Sequence, residues 1–416
     1  MRSVGLITEY NPFHNGHLHH LQESLRLADA DVSVAIMGGH FLQRGEPALV
    51  DKWLRAQMAL AAGVDVVVEL PLPWACSSAP DFARGGVRSL ELLGGVDALS
   101  FGSELGRLEP LQRCSEYLSA QNPFVAEKTA LLLRRGDSYP KARATILASG
   151  LGSDVDPEAL AAPNNILGIE YLKVLLETQS ALKPLTVPRI GAGYHDTETG
   201  PHGIASATGI RSKLAAGEPI DGLLPAAVAT LLERTLAAGY GFSRGRYFTL
   251  LLGQLFRDAE SLERYWLVEN GVERRLVDSA ERAADLEELI AGVKVRQLTR
   301  TRVQRLLVST LLGMDSAEVR DLLAAGPQYL HLLALSERGK RFLAHGRKER
   351  VIPLIQNFSR IYAALKRHYG SESAAYRLAL RQLALEVRAT RMYTLLSDRP
   401  PTGRRNRDFY EPLRTN

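Results

Sequence analysis

Cysteine is scarce in this sequence of 416 residues, which contains only Cys76 and Cys114. Two cysteines exclude the disulfide framework of a small secreted protein and a cysteine-rich zinc module, and their scarcity fits a reducing compartment. The sequence also lacks apolar runs of the roughly 20 residues that span a bilayer. Because the first apolar segment, Val4–Ile7, is short and follows Met1-Arg2-Ser3 directly, we expect no secretory leader. We therefore expect a cytoplasmic protein that has no association with membranes.

Charge is distributed unevenly along the chain, although the net charge is only +5. Residues 236–416 contain 31 Lys and Arg against 20 Asp and Glu, whereas residues 1–235 contain 20 against 26. An acidic front half joined to a basic rear half predicts different partners for the two halves. The basic half is compatible with a bound polyanion and also with a solvated, arginine-rich helical surface.

Short apolar runs alternate with helical patterns in the front half. The strand-like runs are Val4–Thr8, Val32–Met37, Val64–Leu70 and Ala98–Gly102. A spacing of about 30 residues with helices between the strands predicts βαβ units and a Rossmann-like parallel sheet, and therefore an α/β fold. Ligands of such sheets bind beyond the carboxyl ends of the strands, which makes the loops after each strand the candidate sites.

The rear half has a different pattern. From about residue 242 onward, Leu-, Ala- and Arg-rich segments with a helical period replace the strand-like runs. This pattern predicts an all-helical C-terminal domain. The glycines around Gly239 and Gly241 predict the boundary, which gives a domain of residues 1–238 and a domain of residues 239–416.

Histidines are concentrated directly after the first strand, where His14, His17, His19 and His20 account for four of the ten in the chain. His14 and His17 are three residues apart at the start of a predicted helix and would share one face. Helix N-termini attract anions, so the segment predicts a triphosphate site in which imidazoles stabilise charge at the α-phosphate. A metal site and a purely structural cluster are the alternatives. Zinc is disfavoured because His17, His19 and His20 cannot share one helical face.

Two motifs carry a resemblance to a known superfamily. The segment Gly5-x-Ile7-x-x-x-Asn11-Pro12-Phe13-His14-Asn15-Gly16-His17 resembles the signature of HIGH-type nucleotidyltransferases, with Asn11 where the superfamily usually has an acidic residue. The segment Ser206-Ala207-Thr208-Gly209-Ile210-Arg211 resembles the second superfamily motif, with Ala207 in place of a serine. Hydroxyl groups and a guanidinium at a helix start are suited to holding departing phosphates.

Further segments extend the resemblance over nearly the whole chain. Together they resemble the bacterial tRNA(Met) cytidine acetate ligase family, and they include Gly39-His40-Phe41-x-Gln43-Arg44-Gly45, Phe101-Gly102-Ser103-Glu104, Pro163-Asn164-Asn165, Pro188-Arg189-Ile190 and Thr299-Arg300-Thr301-Arg302. The resemblance implies a ligase that forms acetyl-adenylate and pyrophosphate from ATP and acetate. The acetyl group then passes to the exocyclic N4 amine of the wobble cytidine in elongator tRNA(Met).

The resemblance also implies which residues contact ATP. They are Ile7, Thr8, Glu9, Tyr10, Asn11, Pro12, Phe13, His14, Asn15, Gly16, His17, Leu18, His19, His20, Gly102, Asn164, Arg189 and Ile190, to which the second motif adds Ser206 and Thr208. We expect His14, His17 and Arg211 to be catalytic, because attack of a carboxylate on phosphorus needs neutralisation of charge. We expect Mg²⁺ to bridge phosphate oxygens and expect no metal bound by protein ligands alone.

The basic half is expected to hold the tRNA. Arg300, Arg302 and Arg305 are the predicted phosphate contacts. Tyr393 and Phe409 are candidate stacking platforms for bases, although the helical spacing of Tyr393 favours a core position. The pair Asp51-Lys52 is a candidate for the rim that faces RNA. No stable protein partner is expected.

Two rival functions are compatible with parts of the sequence. An adenylyltransferase acting on a small phosphorylated cofactor precursor would explain the front half but leave the basic half without a role. A non-catalytic RNA-binding protein would explain the basic half, and the retained His14, Gly16 and His17 argue against it.

Overall fold

A computed structural model of the protein describes residues 1–119, 122–137, 139–151, 160, 162–190, 204–269, 271–399 and 405–415. Its centre is a sheet whose first five strands are β1 (Ser3–Thr8), β2 (Val32–Gly38), β3 (Val66–Leu70), β4 (Ala98–Ser103) and β5 (Lys183–Pro188). These strands pair in parallel in the order β5-β4-β1-β2-β3. The predicted α/β class is confirmed, because buried β-branched runs form the strands and helices connect them.

Helices connect these strands along the described part of the front half. They are α1 (Asn15–Ala28), α2 (Lys52–Ala61), α3 (Leu72–Ala75), α4 (Ala79–Leu93), α5 (Leu108–Leu118), α6 (Pro123–Arg134), α7 (Tyr139–Leu151), α8 (Pro163–Glu177), α9 (Ala207–Ala216) and α10 (Ala226–Ala237). Ile36 packs into one hydrophobic cluster and its neighbour Met37 into another. Because successive strand residues point to opposite faces, the sheet is covered on both sides.

The C-terminal half is largely helical, but the prediction that it is all-helical is wrong. Its helices are α11 (Arg244–Arg257), α12 (Val272–Ala280), α13 (Leu286–Val293), α14 (Arg300–Leu312), α15 (Ser316–Ala325), α16 (Glu337–His345), α17 (Ile361–Tyr369) and α18 (Ala374–Tyr393). It also contributes the strands β6 (Leu330–Leu335), β7 (Leu354–Ile355) and β8 (Arg414–Thr415). β6 pairs antiparallel with β3, so one sheet includes strands from both sides of residue 238. The domain boundary at residue 238 stays a prediction.

The leucine-rich composition of β6 predicts a helix rather than a strand. The strand reads Leu330-His331-Leu332-Leu333-Ala334-Leu335 and has no β-branched residue, so its composition favours a helix. All six residues are buried in the structure, which means that packing against β3 overrides the local preference. No helix in the described ranges combines the length and the apolar character needed to cross a membrane.

A glycine turn fixes the position of α14 against the front half. Gly45 has a φ of 81°, and a Cβ atom placed there would lie 2.1 Å from the backbone nitrogen of Arg305. Arg305 in turn donates a hydrogen bond from Nη1 to the Gln43 carbonyl at 3.0 Å. The loop and the helix are therefore in direct backbone contact.

Replacing Gly45 with alanine is expected to lower the free energy of unfolding by about 3 kcal/mol or more, since left-handed strain adds to a backbone clash. Gly217 provides a matched control, because its φ is 70° and nothing lies within 4 Å of its Cβ position. Gly217→Ala is expected to cost only about 1 kcal/mol. Urea denaturation of both variants measures the difference, and equal costs would contradict the close contact.

A buried ionic cluster connects α2, β3, β6, α18 and the C-terminal segment. The Lys52 ammonium lies 2.7 Å from Glu69 Oε2 and 2.6 Å from Asp408 Oδ1, and its side chain is 1% exposed. His331 Nδ1 hydrogen-bonds to Glu69 at 3.0 Å, and Glu386 accepts a hydrogen bond from the Leu72 amide at 3.2 Å. The prediction that Lys52 faces RNA is therefore wrong, because its charge is used inside the fold.

Titration of the carboxylates in this cluster depends on the same ammonium. Burial disfavours the charged form of Glu69, but the charge of Lys52 and the hydrogen bond from His331 outweigh it and lower the Glu69 pKa to about 2. Burial and the negative charge of Glu69 hold the pKa of Glu386 well above its ordinary value. The ionised form of Glu69 thus depends on the positive charge of Lys52.

Candidate active site

The turn between β1 and α1 brings the predicted histidines to the carboxyl end of β1. Tyr10 has a φ of 49°, in the left-handed region that non-glycine residues adopt rarely. Its ring and that of Phe13 lie 5.0 and 5.5 Å from the His17 ring, measured between centroids. Aromatic packing therefore fixes His17 at the start of the helix.

His14 and His17 cap α1 reciprocally. His14 Nδ1 accepts a hydrogen bond from the Gly16 amide at 3.0 Å, and His17 Nδ1 accepts one from the His14 amide at 3.3 Å. The ring centroids are 3.8 Å apart. Because Nδ1 is the acceptor in both rings, each neutral imidazole carries its proton on Nε2. Each ring can therefore donate one hydrogen bond from Nε2.

Burial keeps both rings neutral. The pKa of His14 is lowered to about 3 by burial and by the charges of Arg189 and Arg211. Burial and the neighbouring His14 and His20 lower the pKa of His17 well below its ordinary value. The site thus contains hydrogen-bond donors that do not need to be protonated to act on an anion.

A cavity of about 240 Å³ opens beside these rings, and it is called the main cavity because it contains the histidine turn. Most of the predicted ATP contacts line it: Ile7, Thr8, Glu9, Tyr10, Asn11, His14, Gly16, His17, His19, His20, Gly102, Asn164, Arg189, Ile190, Ser206 and Thr208, together with the predicted catalytic residue Arg211. Four predicted contacts are not among the lining residues. Phe13 and Leu18 pack in the core, Asn15 Nδ2 donates to the Gly222 carbonyl at 2.6 Å, and Pro12 lies within the turn.

The second predicted motif begins α9 and lines the same cavity. Ser206 Oγ accepts a hydrogen bond from the Gly209 amide at 3.0 Å and thereby caps α9. Arg211 Nη1 donates to the Asn11 carbonyl at 2.9 Å, and its Nη2 lies 3.4 Å from Glu46. The guanidinium is therefore positioned by the β1–α1 turn, and it lines the same cavity as the histidines.

Asn11 has a structural role at the position where the resemblance leads one to expect an acidic residue. Its Oδ1 accepts a hydrogen bond from the Leu49 amide at 2.7 Å. Asn164 similarly donates from Nδ2 to Glu104 at 2.6 Å at the start of α8. Both amides are therefore oriented by the fold before any ligand binds.

Arg55 was not predicted from the sequence to contribute to the site, and its hydrogen bonds fix the backbone next to the histidine turn. This fully buried guanidinium donates to the carbonyls of Glu9 at 2.6 Å and Gly38 at 2.9 Å, and also to the carbonyl of Gly39. It therefore joins the carboxyl ends of β1 and β2. The sequence gives no signal for this role, because an arginine on a helix is usually solvated.

His20 also lines the main cavity, and its Nε2 is buried without a hydrogen-bond partner. Burial and the charges of His19 and Arg189 lower its pKa from 6.5 to about 4. The unfolded chain binds this proton near its ordinary pKa and the folded chain does not, so acid favours unfolding. The contribution of the neutral His20 ring to the free energy of unfolding is present above about pH 6.5 and is lost as the pH falls toward about 4.

The free energy of unfolding of the wild type falls between about pH 7.5 and about pH 5. We expect it to fall by about 2 kcal/mol less in a His20→Gln variant. Urea denaturation at the two pH values measures the loss. His368→Gln, at an exposed position, is the control for a histidine-to-glutamine substitution away from the main cavity. If the His20 variant follows the wild-type pH dependence, the ring is not held neutral by the fold.

The predicted tRNA contacts have partners within the protein. Arg300 pairs with Glu287 at 2.6 Å, Arg302 pairs with Glu269, and Arg305 is held by the 43–45 loop. The two ion pairs lie at the surface, with the Arg300 and Arg302 side chains 47% and 35% exposed. Arg300 and Arg302 are thus accessible, whereas Arg305 is mainly a structural contact.

The two aromatic candidates differ in the same way. Tyr393 is buried, donates its hydroxyl to the Ala48 carbonyl at 2.8 Å and stacks on His40 with centroids 4.4 Å apart. The prediction that Tyr393 lies in the core is therefore confirmed, and the alternative that it is a stacking platform for bases is wrong. Phe409 is half-buried and packs against Phe358 at 5.2 Å.

One group within the described ranges has the spacing of metal ligands, and it consists of Glu69, His331 and Asp408. The Lys52 ammonium lies among these side chains and supplies the positive charge. The histidines of residues 14–20 do not form such a group in that part of the chain. A site for an anion, rather than for a protein-bound metal, is consistent with their arrangement.

Comparisons with known proteins identify the family of the chain. A family model described as HIGH Nucleotidyl Transferase matches residues 1–408. The chain is 54% identical over 411 residues to the tRNA(Met) cytidine acetate ligase of Syntrophotalea carbinolica. The alignment covers 99% of this chain and 98% of that protein. The chain is 36% identical to the tRNA(Met) cytidine acetate ligase of Acetivibrio thermocellus, with 99% of each chain covered.

Two crystal structures of Thermotoga maritima TmcAL are similar over the whole chain. The apo form has a TM-score of 0.92 at 31% sequence identity and covers 100% of this chain and 99% of that chain. The form bound with alpha-thio ATP has a TM-score of 0.89 at the same identity and coverage.

Proposed function

The chain belongs to the tRNA(Met) cytidine acetate ligases within the HIGH nucleotidyl transferase family, and from this membership we propose that it activates acetate with ATP and acetylates the wobble cytidine of elongator tRNA(Met). The observation that carries the proposal is the reciprocal capping of His14 and His17 beside Arg211 in the main cavity. Such an arrangement presents two neutral donors and one fixed cation to an anionic ligand.

In the first step, a carboxylate oxygen of acetate attacks the α-phosphorus of ATP. The bond between the α-phosphorus and the bridging oxygen breaks, and pyrophosphate leaves with the electron pair. Nε2 of His14 and of His17 donate hydrogen bonds to the phosphate oxygens as negative charge accumulates, and Arg211 neutralises part of that charge. No covalent intermediate with the protein is needed, because the acetyl-adenylate itself retains the energy of the broken bond.

Mg²⁺ is part of the proposal, and the donor set agrees with it. Among the described residues that line the main cavity, Glu9 carries the only carboxylate. Burial raises its pKa despite the hydrogen bond from the Gln43 amide. Mg²⁺ is typically bound by one or two carboxylates together with substrate phosphates and water, so Glu9 would hold it. When bound, the ion supplies additional neutralisation of the triphosphate.

The proposed activity is tested by two measurements on the complete protein. Purified protein should release pyrophosphate from ATP only when acetate is present. Bulk tRNA from a strain that lacks the protein should lose acetylcytidine in mass spectrometry. ATP consumption that requires a phosphorylated small molecule would instead favour the rival adenylyltransferase, and RNA binding without pyrophosphate release would favour the non-catalytic rival.

The proposed tRNA surface includes Arg300 and Arg302. Reversing both charges, Arg300→Glu with Arg302→Glu, is expected to weaken tRNA binding at least tenfold and to reduce its salt dependence by about two phosphate contacts. Filter binding at several salt concentrations measures both effects. The exposed pair Arg381–Asp321 offers a control on another helix, and Arg381→Glu should leave binding within twofold. Unchanged binding in the double variant would exclude this surface.

A further inference from the structure

A second cavity of about 380 Å³ adjoins the main cavity. Segment 45–49 and α9 form one side of it, and α11, α13 and α14 form the other. Arg211 lines both cavities. Its guanidinium lies 3.4 Å from Glu46, which lines the second cavity, and the two side chains are 21% and 31% exposed. The Arg211–Glu46 pair therefore forms a wall between the two cavities.

Tyr247 lines the second cavity and carries a buried hydroxyl without a partner. Tyr247 is 3% exposed, and its hydroxyl has no hydrogen-bond partner. Burial holds its pKa well above the ordinary value, so the hydroxyl remains a neutral donor. Buried polar groups without partners are rare in folded proteins, because desolvating them costs free energy. A ligand with an acceptor atom would compensate this cost.

Other lining residues provide apolar contacts and one acceptor. Leu214, Leu307 and Phe242 supply apolar surface. The Glu46 carboxylate accepts a hydrogen bond from Gln304 Nε2 at 3.0 Å, and the second oxygen faces Arg211. The lining residues are suited to a planar ligand that has a hydrogen-bond donor at one edge and acceptors at another.

Positive charge borders the opening of the second cavity. Arg244 and Arg300 both line it and are exposed at the surface. They share one carboxylate, Glu287, at 3.6 and 2.6 Å. Two guanidinium groups against one carboxylate leave a net positive charge, which favours a ligand attached to a phosphate backbone.

We propose that the second cavity binds the target cytosine after its extrusion from the tRNA loop, with the N4 amine directed at the Arg211–Glu46 wall. This inference rests on the proposed function. Enzymes that modify a base take it out of the stack and read it in a pocket. Glu46 accepts a hydrogen bond from N4, Tyr247 donates to a ring acceptor, and Arg244 and Arg300 contact the flanking phosphates.

The acetyl transfer then occurs across this wall. The N4 lone pair attacks the carbonyl carbon of acetyl-adenylate, and a C–N bond forms. The bond between that carbon and the phosphate oxygen breaks, and AMP leaves with the electron pair. The surplus proton on N4 passes to the Glu46 carboxylate and then to water. Arg211 remains against the phosphate that gains negative charge.

Blocking the second cavity tests the proposal. Ala215 is an exposed residue of α9 that lines the cavity, whereas the next residue, Ala216, is equally exposed and does not line it. With chemically prepared acetyl-adenylate and full-length elongator tRNA(Met), Ala215→Trp is expected to slow single-turnover acetyl transfer by about 100-fold, because misplacing reacting groups has effects of this size. Ala216→Trp should stay within twofold, and both variants should bind an ATP analogue like the wild type.

A second pair of variants tests the hydroxyl. Tyr247→Phe is expected to reduce acetyl transfer about tenfold, the usual effect of losing one hydrogen bond to a ligand. Tyr329 is the control, because its hydroxyl is also buried without a partner and lies in a different cluster. Tyr329→Phe should leave transfer unchanged. Equal rates for the two variants would remove Tyr247 from base binding.

The outcomes distinguish the inference from the proposed function. Wild-type transfer that is unaffected by Ala215→Trp overturns the base pocket and leaves the acetate ligase reaction intact. Loss of ATP-analogue binding in Ala215→Trp also overturns it, since the two cavities would then not hold separate ligands. A wild-type protein that forms no acetylcytidine from acetyl-adenylate contradicts the proposed function, and the inference fails with it.

Discussion

Replacing His17 with alanine is expected to reduce acetate-dependent pyrophosphate release by about 10²–10³-fold, the usual effect of removing one donor aimed at a developing anion. The affinity for tRNA should remain within twofold, because His17 lies in the main cavity and the predicted tRNA contacts lie on other elements. Gln22→Ala, an exposed position on the same helix, is the control and should keep full activity.

Two further substitutions separate the chemical role of His17 from its capping role. Asparagine can accept the His14 amide hydrogen bond in place of Nδ1 but cannot reach the position of Nε2. Glutamine carries a donor near that position but loses the cap. We expect His17→Asn to fold stably without activity and His17→Gln to regain part of the rate. Full activity in His17→Asn would show that the ring acts only as a cap.

Replacing Lys52 with methionine is expected to lower the free energy of unfolding by about 3–5 kcal/mol, because buried carboxylates lose their counter-charge. The Lys52 side chain is 1% exposed and contacts both Glu69 and Asp408. By contrast, Arg26→Met removes an exposed partner of Glu23 and should leave the free energy of unfolding almost unchanged. Urea denaturation measures both losses.

A double variant identifies the cause. Lys52→Met combined with Asp408→Asn removes one of the negative charges that Lys52 compensates and should recover about 1 kcal/mol or more of the loss. No recovery would indicate that Lys52 acts through packing of its aliphatic chain. A Lys52→Met variant as stable as Arg26→Met would contradict the importance of the buried cluster altogether.

The sequence predicts well those features that depend on neighbours along the chain. Strand β2 and the histidine turn follow from apolar runs and from a three-residue spacing. Gly102, Asn164 and Arg189 belong to the site only through the family resemblance, because each residue by itself is as typical of a turn, a cap or a surface ion pair. The structure places all three around the main cavity.

Features that depend on distant partners could not be predicted. Lys52 and Arg55 have the helical spacing of a solvated face, but the partners that bury them lie on other elements, one of them 356 residues away. β6 has helical composition and becomes a strand only beside β3. The second cavity likewise needs residues of α9 and α13 to line one space, and no local pattern encodes this arrangement.

The antiparallel pairing of β6 with β3 has a consequence for synthesis of the protein on the ribosome. The histidine turn and β3 emerge early, but the open edge of β3 is not covered until residues 330–335 have been translated. Lys52 receives its Asp408 partner later still. Uncovered strand edges and unbalanced buried charges favour aggregation and degradation. We therefore expect a chain that ends before residue 330 to contain the histidine turn, the proposed ATP-binding segment, without the strand that covers the edge of β3.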